Sequence, residues 1–137
     1  MIVPRLPFVA VALVCASLGI HLGISSGSEA RLGRANADLL AGRNAEALTE
    51  LEGLGKETGR RAAALRARAH RNSGRWGPAR REFETAVRRD PNNWVLQRDY
   101  ASVLLRLGER SKARARMSRA KALNPRMPLP PGFVAAK

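Results

Sequence analysis

Two stretches of this chain lie 34 residues apart and match each other class by class: Gly74–Asn93, GRWGPARREFETAVRRDPNN, and Gly108–Met127, GERSKARARMSRAKALNPRM. In that register Ala67 pairs with Ala101, Gly74 with Gly108, Ala79 with Ala113, Phe83 with Met117, Ala86 with Ala120, Asp90 with Asn124 and Pro91 with Pro125. Small residues are needed where antiparallel helices approach closely. Glycine permits the positive backbone angle that ends a first helix, and proline follows a second helix because it cannot continue one. An arginine-rich helix recurring by chance would not keep all of these classes in step. The chain is therefore expected to stack copies of one helix-turn-helix unit.

A third, degenerate copy precedes these two with a shift of two residues, because Gly42 lies thirty-two positions before Gly74 and Ala35, Ala47 and Leu51 match Ala67, Ala79 and Phe83. Its closing proline is replaced by Gly59. The units run 28–59, 60–93 and 94–127, followed by a proline-rich tail at 128–137. Alanine and leucine dominate, and no stretch beyond residue 30 alternates over a strand's length, so the fold class is all-α. Six helices are expected, at 29–41, 45–54, 60–73, 77–89, 93–107 and 111–123. Thr58 and either Asn92 or Asn93 are candidate N-caps, and Pro78 suits a first turn.

A two-helix unit of 34 residues resembles the tetratricopeptide repeat family. The residues that carry the likeness are Ala67, Gly74, Ala79, Phe83, Ala86 and Pro91 in one unit and Ala101, Gly108, Ala113, Met117, Ala120 and Pro125 in the next. The family's large residues early in the first helix are replaced by Ala63 and Arg66, and by Gln97 and Tyr100. The resemblance implies a short α-solenoid whose first helices line a groove for peptides or partner helices. The inward places map to Arg61, Ala64, Arg68, Arg71 and Asn72, to Val95, Arg98, Ser102, Leu105 and Arg106, and to Glu29, Leu32, Asn36, Leu39 and Leu40. The lysine and asparagine of the family's carboxylate clamp are Ala64 and Arg68 here, so that specific clamp is not expected. An acidic or C-terminal protein segment is the expected partner class, bound chiefly through Arg61, Arg68, Arg71, Asn72, Arg98, Ser102 and Arg106. Self-association of so short an array stays open.

The chain begins with an apolar run: residues 6–24 contain no Lys, Arg, Asp or Glu, and they would span about 28 Å as a helix. This predicts an N-terminal transmembrane helix within a 1–27 anchor, with a cleaved signal segment as the alternative. A single-pass membrane location follows, the extracytoplasmic side being slightly preferred for the repeats. His21 sits near the end of the run and Cys15 inside it, the chain's only cysteine.

Charge is uneven. Residues 29–59 hold four Lys/Arg and six Asp/Glu, whereas 60–137 hold twenty and five. The second reading is accordingly a secreted or periplasmic repeat protein whose basic face binds polyanions, anionic lipid or nucleic acid. Lys112, Arg114, Arg116, Arg119 and Lys121 of the last helix suit such a face, but no aromatics are interleaved for base stacking, which disfavours nucleic acid. No phosphate loop, zinc motif, cysteine cluster or Ser–His pairing is present, so no enzyme activity, cofactor or metal is expected. His70 falls at a packing place and is read as a filler between helices.

Overall fold

The computed structural model describes residues 27–54 and 59–133, and the regular structure among them is entirely helical. In chain order these are α1 (27–40), α2 (Asn44–Leu51), α3 (Gly59–Asn72), α4 (Trp76–Arg89), α5 (Trp94–Arg106) and α6 (Arg110–Leu123). The expected starts and ends fall within three residues of these. The largest discrepancy is α2, which stops at Leu51 because Glu52 turns extended and Gly53 takes a φ of +68°.

One turn, built three times, joins the helices of each pair. Gly42, Gly74 and Gly108 have φ of +77°, +70° and +78°, a region that side chains with a Cβ rarely enter. Each glycine N–H donates to the carbonyl three residues back, and the following N–H donates five back: Arg43 to Asp38 and Arg75 to His70 at 2.8 Å, Glu109 to Leu104 at 2.9 Å. This is the Schellman closure, which satisfies carbonyls that a helix end would otherwise leave without donors. The next residue then makes an inverse γ-turn, with φ between −80° and −85° and ψ between 59° and 73°, before the second helix begins. Between pairs, Pro91 follows α4. Asn93 caps α5, its Oδ1 accepting from the N–H groups of Val95 and Leu96 at 3.2 and 3.3 Å.

The pairs stack in sequence order: α3 packs on α4 and α5 on α6, while α2–α3 and α4–α5 contacts join successive pairs. The result is an all-α, repeat-like arrangement consistent with an α-solenoid. The recurring alanines lie where the helices meet, since Ala67, Ala79, Ala86, Ala101, Ala113 and Ala120 are all fully buried. Phe83 fills the centre, stacked on Tyr100 with ring centroids 6.1 Å apart, and Met117 takes the corresponding place in the last pair. Gly74, Gly108, Pro91 and Pro125 are exposed, as turn residues are. Gln97 is buried, its amide donating to Pro91 O at 2.9 Å.

The expected membrane span is corrected. Among the described residues no helix is long and apolar enough to cross a membrane. Those helices reach at most fourteen residues, against the roughly twenty apolar residues that a span requires. The transmembrane helix and the single-pass location built on it are not carried further. Residues 6–24, with Cys15 and His21, lie outside the described residues, as does the expected cap Thr58.

Candidate functional site

The first helices of the three pairs converge on one groove of about 330 Å³. Its walls are Leu32, Gly33 and Asn36 of α1, Arg61, Ala64, Leu65 and Arg68 of α3, and Asn93 with Leu96 at the start of α5. Leu32, Leu65 and Leu96 give it apolar lining, Asn36 and Asn93 polar lining, and Arg61 and Arg68 set two guanidinium groups on the α3 wall. Arg61 meets Glu29 at 2.6 Å, a pair exposed on both sides, which solvent screens heavily.

Arg68 also belongs to a concentrated charge cluster beside the groove. Asp99 of α5 has a side chain only 7% exposed, and three cations surround it: Arg71 at 3.1 Å and Arg68 at 3.6 Å on one carboxylate oxygen, Arg98 at 2.9 Å on the other. Those side chains keep 26–33% of their surface. A lone carboxylate there would be costly to bury, and paired in this way it ties α3 to α5. The local balance is three positive charges against one negative, so the cluster retains a surplus that an incoming carboxylate can satisfy. Arg98 also lies over the Trp94 ring at 5.2 Å, which orients its guanidinium plane.

Among the residues singled out from the sequence, the structure brings Arg61 and Arg68 together on the groove wall, and Arg68, Arg71 and Arg98 together around Asp99. Asn72 Oδ1 accepts from Arg71 at 3.2 and 3.3 Å and so supports that side chain. Ser102 turns to its own helix, donating to Arg98 O at 3.2 Å, and Arg106 lies over Trp76 at 5.8 Å. Neither joins the cluster. Asp99 itself was missed, although a signal was present: it is the one carboxylate on α5, and α3 carries five arginines and no carboxylate.

His70 is half-buried, and burial pushes its pKa below the ordinary histidine value against the opposing pull of Glu82. Its Nδ1 is buried without a hydrogen-bond partner. Elsewhere charges serve the stack. The hydrogen bond from Arg34 holds the Glu50 carboxyl below its usual range, and Lys112 with Arg80 does the same for Glu109. Among the described residues no group of three His, Cys, Asp or Glu side chains is placed to hold a metal ion.

Comparisons of the chain with protein-family models, with curated proteins and with solved structures return no match. Its chemistry has to be read from the groove itself.

Proposed function

We propose that the chain is an interaction module of the tetratricopeptide type, which takes an acidic segment of a partner protein along the face made by α1, α3 and α5. The observation that carries this reading is the surplus of guanidinium groups over carboxylates at Asp99, which Arg68 joins to the groove between α1, α3 and α5. Leu32, Leu65 and Leu96 suit aliphatic side chains of an extended segment. Arg68, Arg71 and Arg98 suit its carboxylates, each fork donating two parallel hydrogen bonds.

The test is a titration with a hexaglutamate peptide bearing a free C-terminal carboxylate. Arg68→Gln combined with Arg98→Gln leaves Arg71 to satisfy Asp99, so helicity should persist while affinity for the peptide falls about tenfold or more. Equal binding by both proteins, or none by the unaltered chain, would remove the groove from the account.

A second reading has its own support. Residues 110–123 carry six Lys/Arg and no carboxylate, and among them only Lys112 forms an ion pair within the described chain, at 2.6 Å to Glu109. On this reading α6 docks a polyanion by charge alone, and the interaction weakens steeply with added salt.

A further inference from the structure

The first two pairs each tie their own two helices with an ion pair, and the third pair replaces its acid with a cation. In the first pair Arg34 of α1 meets Glu50 of α2 at 2.9 Å. Thirty-two residues on, Arg66 of α3 meets Glu82 of α4 at 3.2 Å. The repeat of 34 then puts Tyr100 of α5 and Arg116 of α6 at those two places. The Arg116 guanidinium lies over the Tyr100 ring, its carbon 5.4 Å from the centroid. Two pairs therefore close this seam with no net charge, whereas the third leaves a positive charge on an aromatic face.

An indentation of about 210 Å³ opens at that seam. Tyr100, Leu104 and Ala115 give it apolar lining, and Lys112, Arg116 and Arg119 give it three cations, with no carboxylate among the lining residues. Spacings of four and three residues set those cations on one face of α6. The two arginines are oriented by neutral acceptors that leave their charge in place. Arg119 donates to Asn92 Oδ1 at 2.8 Å, and Arg116 makes a long contact of 3.5 Å to Gln97 Oε1. Neither is paired with a carboxylate among the described residues. Lys112 has Glu109 at 2.6 Å, but Arg80 shares that carboxylate at 3.0 Å. Tyr100 is itself fixed by stacking on Phe83, so the lining is in place before any ligand arrives.

We propose that the seam between α5 and α6 is an anion site that takes a compact phosphorylated small molecule. Guanidinium forks and an ammonium match the oxygens of phosphate, and three cations suit two or more negative charges better than a single carboxylate. The volume lies under the roughly 300–1,000 Å³ of sites for drug-sized ligands, which fits a diphosphate, or a phosphate with a small organic part against Tyr100 and Leu104. A long polyanion would instead draw on all six cations of α6, of which only these three line the indentation. The inference goes beyond peptide docking at the groove, with which this site shares no lining residue.

The probe is inorganic pyrophosphate, titrated into the full chain at about 150 mM salt and followed by calorimetry and by ¹⁵N NMR of the arginine Nε–H groups. Saturable binding with shifts at Arg116 and Arg119 is the expected result. Arg116→Glu restores the acid that the first two pairs carry at this place, and should weaken binding about tenfold or more. Arg119→Gln, at an exposed position, should weaken it about threefold to tenfold, and decides the matter if Arg116→Glu loses helicity. Arg126→Gln removes an equal charge outside the indentation and should change affinity by less than about twofold. No binding, an equal loss with Arg126→Gln, or shifts at Arg68, Arg71 and Arg98 in place of Arg116 and Arg119 would each overturn the proposal. Capture of a short DNA duplex without pyrophosphate binding would overturn it too, and leave α6 a surface for polyanions. Hexaglutamate and pyrophosphate report on different residues, so failure of either titration leaves the other reading standing.

Discussion

Asp99→Asn should lower stability and raise affinity for hexaglutamate in the same protein. The substitution keeps the size of the side chain and removes the one negative charge among Arg68, Arg71 and Arg98. Removing one partner of a fully buried ion pair costs about 3–5 kcal/mol. Here the guanidinium groups keep 26–33% of their surface and recover hydration, so a loss of about 2–3 kcal/mol in urea unfolding is expected. The freed forks then face the groove with no internal competitor, and the peptide should bind more tightly by about threefold to tenfold. A stability loss with unchanged peptide affinity would make the cluster purely structural. An unchanged stability would mean that Asp99 does not hold these arginines at all.

Phe83→Ala should cost about 3–5 kcal/mol, out of the roughly 5–15 that a domain of this size has in total. Phe83 is fully buried in the cluster that joins α3, α4 and α5, and it loses its stacking on Tyr100 as well as its transfer energy. The matching change in the last pair, Met117→Ala, should cost less, about 2–3 kcal/mol, because Met117 packs in a smaller cluster at the end of the stack. Urea midpoints with unchanged slopes measure both. If Met117→Ala proves the more damaging, the core does not run through the middle pair as described.

The repeat was legible because it is written in backbone necessities. A left-handed turn admits little besides glycine, so Gly42, Gly74 and Gly108 mark three copies of one hydrogen-bonded closure even where the first copy has lost its proline. Alanines are equally exposed to sequence reading, since close helix approach leaves no room for more than a methyl group. The cap at Asn93 was narrowed only to Asn92 or Asn93, because both side chains are competent and the choice depends on where the turn after Pro91 closes. The early end of α2 escaped for a similar reason: Gly53 terminates it locally, against the length that the repeat register implies.

Two features were not legible. The inward register assigned five arginines to one surface, but it could not say that Asp99, one residue outside that register, rotates into their midst. Charge pairing of this kind is decided across helices and has no period. The seat of Phe133 was hidden for another reason. The tail reads as extended because of its prolines, and only the return at Pro131 and Gly132 lays the ring against two clusters at once. The apolar run at 6–24 reads as a span by hydropathy alone, whereas among the described residues no helix is long and apolar enough to cross a membrane.

The measurement that bears most directly on the groove is the hexaglutamate titration followed by ¹⁵N NMR of the arginine Nε–H groups. Shifts confined to Arg61, Arg68, Arg71 and Arg98 are the expected result. Shifts concentrated on Arg110, Arg114, Arg116 and Arg119 of α6, with the Asp99 cluster unmoved, would contradict it.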